Sequence, residues 1–315
     1  MIPRSATLSI CIPAYRRVEY LKLLPDSIAA QSFKDFEVII TDDSPGTEVH
    51  DLSQCYKDKF TVLYFKNPVT LGTPSNWNEA IKHARGEWIK LMHDDDWFAD
   101  RDALATFAHR AKQHNAVSFF YSAHTDVFQD GKERTVRANS FRRKKLLQNP
   151  VTLFSKNIVG PPSVTLVRND QQLLYDESVR WVVDIDYYMQ CLERSTALYI
   201  NVPLVKVGIH SNQVTRESFG VASVEIPENF YLLNKVGVAN LKEVLIYDAW
   251  WRLMRNLRIT SVSKIREAGY EGEIHSVIVS MLTWQSRIPF FILKVGPLSK
   301  FIMLIHYFLN RRLLK

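Results

Sequence analysis

Short apolar runs alternate with amphipathic segments along roughly the first two thirds of the chain. Ala6-Thr7-Leu8-Ser9-Ile10-Cys11-Ile12-Pro13 is a near-continuous apolar run stopped by a proline, the pattern of a strand covered on both faces. Leu21, Leu24 and Ile28 recur at helical spacing, which predicts a helix over 19–30. Phe36 to Thr41 and Phe60 to Phe65 read as further strands. A helix over 74–84, closed by Arg85-Gly86, leads into a fourth strand, Glu87 to Met92. The order strand, helix, strand, strand, helix, strand predicts an α/β sheet with parallel members. Ligands of such sheets gather beyond the carboxyl ends of the strands, where this chain carries Asp42-Asp43 and Asp94-Asp95-Asp96. The two acidic turns are therefore expected at the ends of adjacent strands, facing one cleft.

The middle of the chain is less regular. A helix is expected over 101–113 and strands over 116–121 and 164–167, the latter behind the stiff turn Gly160-Pro161-Pro162. Arg142-Arg143-Lys144-Lys145 reads as a loop or a helix start. A helix over 182–194 is followed by one or two strands over 197–207. Beyond Pro227 the period becomes helical, with helices over 230–256 and 260–268. The division expected is a catalytic α/β domain over 1–225 and a helical region over 226–315.

Composition narrows the partners. At 46% hydrophobic and 23% charged residues, the chain of 315 residues is rich enough to bury a core, which argues against disorder. Its net charge of +7 suits nucleic acid, an anionic lipid surface or a phosphorylated small molecule. From Ile288 onward Lys294, Lys300, Arg311, Arg312 and Lys315 are interspersed with Phe290 to Leu293 and Phe301 to Ile305, without one acid. That mixture fits a membrane surface better than a nucleic-acid groove. The same stretch also reads as plain helices that cover the sheet or form a dimer contact. No apolar run reaches the roughly 18 residues of a spanning helix, and Pro3-Arg4-Ser5 leads straight into a strand rather than into an export signal. Three isolated cysteines, Cys11, Cys55 and Cys191, point to a reducing, cytoplasmic setting.

The carboxylates carry the chemistry. Three in a row after a strand, in His93-Asp94-Asp95-Asp96, repel one another unless a cation or hydrogen bonds compensate. Oxygen donors of this kind suit Mg²⁺ or Mn²⁺ with phosphate oxygens in the remaining positions, whereas capping of the next helix by Asp96 or Asp100 is the plainer use. Asp42-Asp43-Ser44 is either a ligand site or an Asx-turn. Asp184, in Val183-Asp184-Ile185-Asp186 beside aromatic residues, reads as a helix cap or as a partly desolvated general base. His210 is either a surface histidine or a metal or diphosphate contact.

Taken in order, these segments resemble glycosyltransferase family 2, inverting nucleotide-sugar transferases of the GT-A fold. The matching segments are Leu8 to Arg16 with Pro13, Tyr15 and Arg16; Gln31 to Ser44 with its paired aspartates; Gly72 to Trp88 with Asn78; the acidic turn; Asp184-Ile185-Asp186; and Gly208 to Thr215. Two departures stand out: His93 occupies the first aspartate position of the family's metal motif, and Val183 replaces the glutamate before the base.

The resemblance implies a mostly parallel, Rossmann-like sheet flanked by helices. It assigns Asp95, Asp96 and His210 to a divalent metal, and Pro13, Tyr15, Arg16, Asp42, Asp43, Asn78 and Asp94 to the donor nucleotide, with Asp43 preferred over Asp42 for the base. Asp184 becomes the general base. The implied donor is a UDP-sugar, and the acceptor a glycan or lipid-linked oligosaccharide of bacterial surface polysaccharide synthesis. No nucleic acid is implied, an oligomer is compatible, and peripheral contact with the cytoplasmic face of the membrane follows from the basic apolar tail. A nucleotidyltransferase needs a Gly-rich basic loop after the first strand, for which Pro13-Ala14-Tyr15-Arg16 is poor; a non-catalytic nucleotide- or glycan-binding protein would keep the fold but hold Asp184 away from the donor cleft.

Overall fold

A computed structural model describes residues 6–16, 18–170, 173–210 and 219–314. Ser211 to Thr215, the end of the late histidine segment, lie outside the described residues, as do Pro3-Arg4-Ser5 and Lys315. The chain divides into two compact units: Met1–Leu147 with Ile158–Ser211, and Gln148–Asn157 with Asn212–Lys315.

The first unit is a nine-stranded mixed sheet. Its strands are β1 (Leu8–Ala14), β2 (Phe36–Asp42), β3 (Val62–Lys66), β4 (Trp88–Leu91), β5 (Asp96–Phe98), β6 (Phe119–Phe128), β7 (Glu133–Val136), β8 (Thr165–Arg168) and β9 (Ala197–Ile209). Their order is β3-β2-β1-β4-β8-β6-β9-β5, with β7 hairpinned onto β6. The β1–β2, β1–β4, β2–β3 and β6–β9 pairs are parallel, while β8, β5 and β7 pair antiparallel with their neighbours. The helices are α1 (Val18–Leu21), α2 (Leu23–Ala29), α3 (Glu48–Gln54), α4 (Ser75–His83), α5 (Ala103–Gln113), α6 (Ser140–Gln148) and α7 (Val183–Arg194). Every residue of β1, β2 and β4 is buried, which is why these strands read as unbroken apolar runs rather than as alternation.

The helix expected over 230–256 is interrupted between Val236 and Val244, and three further departures from the sequence expectation lie among the first four strands. The helix over 19–30 breaks at Lys22 into α1 and α2, and α3, a short helix in a polar segment, fills the link between β2 and β3. The third concerns the acidic turns. They do not follow adjacent strands, because β1 lies between β2 and β4. The turn after β1 joins them instead: the Tyr15 amide donates to Asp94 Oδ2 at 3.4 Å and the Arg16 amide to Ser44 Oγ at 2.7 Å.

The Arg85-Gly86 turn is built by close approach. A Cβ on Gly86 would sit 2.6 Å from the Ser9 amide nitrogen, so only glycine lets β4 enter beside β1. The Gly86 amide donates to Ser9 Oγ at 2.8 Å, and that hydroxyl donates to buried Glu37 at 2.7 Å.

In the second unit, α8 (Ala222–Val236), α9 (Val244–Asn256), α10 (Val262–Glu267), α11 (Ser276–Ser286), α12 (Phe290–Lys294) and α13 (Gly296–Leu309) are the α-helices among the described residues. Its core holds Phe230, Tyr247, Trp250, Trp251 and Met254, and Phe230 stacks on Tyr270 at 4.1 Å.

Candidate active site

The acidic turn between β4 and β5 gathers the densest chemistry. His93, Asp95 and Asp96 each present one ligand atom, and these atoms lie within 4.8 Å of one another. Capping does not account for Asp96: it lies in β5, paired with Val207, and its Oδ1 accepts the Gly208 amide at 3.1 Å. Burial and the neighbouring Asp95 push the Asp96 carboxyl well above the usual carboxylate range, against the opposite pull of Ser163, Gly208 and Lys90. Its Oδ2 is buried 4.0 Å from His93 Nδ1, with no hydrogen bond of ordinary geometry among the described residues. Two carboxylates and an imidazole so arranged fit a hard divalent cation such as Mn²⁺ or Mg²⁺.

His210 is buried, not a surface residue. Its Nε2 lies 2.7 Å from Asp95 Oδ2, and its ring stacks on Tyr20 of α1 at 4.8 Å. It therefore meets the cluster through Asp95 rather than as one of its three converging ligand atoms. Gly208 makes this possible, since a Cβ there would sit 2.4 Å from the Asp95 carbonyl oxygen. Asp94 turns toward β1, accepting the Tyr15 amide.

A buried lysine lies beneath the turn. Lys90 of β4 donates to the Ser163 carbonyl, and its ammonium lies 5.7 Å from the Phe98 ring centroid and 5.1 Å from that of Phe107. Burial lowers its pKa to about 7, with Asp96 acting in the opposite direction. Ser163 also accepts the His93 amide at 2.9 Å, so the Pro161-Pro162-Ser163 turn is fastened to β4 and to the start of the acidic turn. The sequence offers one signal for Lys90, a charge in the middle of an apolar strand.

The paired aspartates at the end of β2 are also buried. Asp42 accepts from the Ser44 amide at 2.8 Å, the Tyr64 hydroxyl at 2.7 Å and Lys66 at 3.0 Å. Burial alone would raise its pKa, but these hydrogen bonds hold it below the ordinary value. The Asx-turn is real, and the same carboxylate clamps β3. Asp43 accepts from Asn67 at 2.7 Å and from the Leu71 and Gly72 amides at 3.1 and 2.8 Å. A carboxylate has about four acceptor positions, so Asp43 retains room for roughly one further donor. Pro13 pairs with Thr41 within the sheet. Arg16, at φ 64°, is held in a conformation that non-glycine residues adopt at a cost, its guanidinium folded over the exposed Tyr15 ring at 4.9 Å.

Asn78 does not join these groups. Its carboxamide donates to the Tyr175 carbonyl and to Glu177, and accepts the Tyr175 amide, so it fixes the 175–177 segment. That segment matters because Tyr175 stacks on Tyr187 of α7 at 3.9 Å, while Trp77 spans Tyr175 and His93 at 5.0 and 4.8 Å. A continuous aromatic bridge, absent from the sequence expectation, thus runs from the acidic turn to α7.

Asp184 lies in the first turn of α7, which starts after Val182 without a side-chain cap. The residue is partly accessible, yet its Oδ1 is sealed from solvent with no hydrogen-bond partner among the described residues. This desolvation raises its pKa to about 7. Asp186 points elsewhere in the helix, accepting from Gln190 at 2.7 Å.

The overall fold is similar to that of solved proteins. TarS from S. aureus, solved with UDP-GlcNAc, has a TM-score of 0.58 at 14% identity, over 89% of this chain and 87% of that one. A mannosyltransferase from Pyrobaculum calidifontis, solved with GDP-Man and Mn²⁺, has a TM-score of 0.55 at 15% identity, over 98% of this chain and 87% of that one. The fold is GT-A, a mostly parallel mixed sheet flanked by helices. The chain belongs to glycosyl transferase family 2, whose model matches residues 9–169; Asp184 and His210 lie beyond the matched stretch. An uncharacterized glycosyltransferase of Rickettsia typhi is 24% identical over 67% of this chain and 66% of its own length. A shorter match, 32% identical over 36% of this chain and 37% of the relative, is to a Campylobacter jejuni GalNAc(5)-diNAcBac-PP-undecaprenol beta-1,3-glucosyltransferase.

Proposed function

We propose that the chain transfers a sugar from a nucleotide-sugar donor to an acceptor hydroxyl with inversion at the anomeric carbon. The observation that carries the reading is the pairing of the converging His93, Asp95 and Asp96 with a desolvated carboxylate, Asp184, on the element tied to them through Trp77 and Tyr175. His93, Asp95 and Asp96 would hold the metal, with His210 orienting Asp95. A divalent cation held there would supply positive charge to stabilise the leaving diphosphate. Asp43 spends its remaining acceptor position on a base N–H and, through its grip on Leu71 and Gly72, shapes the loop beside the base. Asp94, Tyr15 and Arg16, held where the turn after β1 joins the two acidic turns, would also contact the donor nucleotide.

Asp184 takes the proton of the acceptor hydroxyl as its oxygen bonds to the anomeric carbon and the bond to the diphosphate breaks. A carboxylate with a pKa near 7 is matched to that task at neutral pH. One displacement suffices, with no covalent intermediate. A UDP-sugar is the preferred donor, supported by the nucleotide in the TarS complex, and Mn²⁺ by the Pyrobaculum complex. A lipid-linked oligosaccharide of surface polysaccharide synthesis is the preferred acceptor, supported by the acceptor in the Campylobacter protein's name. The test is a panel of UDP- and GDP-sugars with Mn²⁺ or Mg²⁺, scored by calorimetric binding and slow donor hydrolysis. Metal-dependent binding of at least one donor is expected; folded protein that binds none would overturn the reading.

A further inference from the structure

The α12–α13 segment is built inside out for a helix facing water. The inner face of α13 carries Ser299, Met303 and His306, all with no exposed surface. Ser299 accepts hydrogen bonds from Trp251 and Arg255, each at 3.1 Å. His306 is held between the Tyr247 hydroxyl at 2.6 Å and the Ser280 hydroxyl at 3.0 Å. Its outer face carries Leu298, Phe301, Ile305, Phe308 and Leu309, with Phe291 of α12 before them. Phe301, Phe308, Leu309 and Phe291 are 61%, 63%, 66% and 72% exposed, so the largest apolar groups stand outermost. The spacings of three and four residues from 298 to 308 put them on one stripe. Specific hydrogen bonds lock the helix so that it presents this stripe, which a helix ending in water would bury.

The charge around the stripe selects its partner. No acid occurs from Ile274 to Leu314, while Arg287, Lys294, Lys300, Arg311 and Arg312 are all exposed. A second copy of the same face would bring cations against cations. An anionic bilayer satisfies both features, taking the aromatic and leucine side chains into its interface and the cations into its headgroups. At 14 residues α13 is too short to cross, and no helix among the described residues is long and apolar enough to span a membrane.

We infer that α12 and α13 form a monotopic foot by which the protein lies on an anionic lipid surface. The inference uses none of the site residues, so it stands or falls apart from the transferase reading.

The test is co-sedimentation of the full chain with vesicles of equimolar phosphatidylcholine and phosphatidylglycerol, against pure phosphatidylcholine. Binding to the anionic vesicles that weakens with salt is expected. Phe301→Ser with Phe308→Ser should lower partitioning by about a hundredfold, from the lost apolar burial. Lys300→Glu with Arg312→Glu should lower it by roughly fivefold or more per charge, only on anionic vesicles. These side chains point outward, and circular dichroism melting checks that each variant folds. Absence of wild-type binding overturns the inference, as does binding that both variants retain. A wild-type dimer in light scattering that Phe301→Ser abolishes, without vesicle binding, overturns it in favour of a self-interface.

Discussion

Replacing Asp184 with Asn tests its chemical role and its energetic cost together. The substitution keeps the shape of the side chain and removes its titration. In the folded protein the carboxyl pKa rises from 3.8 to about 7, a penalty on the ionised form of about 4 kcal/mol at most. Partial water access to the residue reduces this to about 2 kcal/mol. The sign follows from linkage. The folded state binds more protons than the unfolded state between the two values, so stability falls as pH rises through that window. The penalty is absent below the unfolded value and complete above the folded one. Asp184→Asn should therefore be more stable than wild type near pH 8, by about 2 kcal/mol or a few degrees of melting temperature, and much of that advantage should vanish near pH 5. Transfer should fall by about 10²–10⁴-fold while donor binding stays within about twofold. The wild-type kcat/KM should climb with pH and level off above about 7. Thermal melts at the two pH values and an initial-rate pH profile supply the readouts. A stability difference independent of pH would refute the raised pKa, and full activity in the variant would remove Asp184 from the base role.

Asp95→Asn should lower Mn²⁺-dependent donor affinity by about tenfold or more, read by calorimetry with and without chelator; unchanged metal dependence would exclude Asp95 as a ligand. Gly208→Ala forces a Cβ to within 2.4 Å of the Asp95 carbonyl oxygen. It should cost about 1–3 kcal/mol of stability and weaken donor binding alongside, measured by urea unfolding and titration. Asn78→Ala removes three hydrogen bonds to the 175–177 segment. It should destabilise by about 2–3 kcal/mol and lower kcat more than it raises KM, since it loosens Tyr175 rather than a ligand contact.

Much of the sheet was legible because buried parallel strands leave a direct trace. The runs in β1, β2 and β4 read as strands because both faces are covered. The elements that escaped were short or polar. In α3 the sequence Glu-Val-His-Asp-Leu-Ser-Gln buries only Val49 and Ser53, too few for a visible period. β5 is three residues long and starts on Asp96, so its pairing with β9 looked like part of the acidic turn. Sheet order was hidden for a different reason. Nothing local to β2 or β4 says that β1 inserts between them; only the return of the chain through α4 fixes it.

The site was legible by residue type and hidden in its use of atoms. Asp42, Asp43 and Asn78 share one polar signature in the sequence, yet Asp42 clamps β3, Asp43 organises the loop to Gly72, and Asn78 fastens Tyr175. Which acceptor positions remain for a ligand depends on partners more than twenty residues away, and no local spacing encodes that. His93 shows the converse. As a departure from an aspartate pattern it looked like a weakness, but its ring nitrogen comes within the same 4.8 Å as Asp95 and Asp96. An imidazole in place of a carboxylate also avoids a fourth acid in a turn already carrying three above the buried Lys90. Three features thus meet at the acidic turn: His93 among the converging atoms, Lys90 below it, and His210 beside Asp95. Of the three, Lys90 opposes the rise that burial and Asp95 impose on the Asp96 carboxyl.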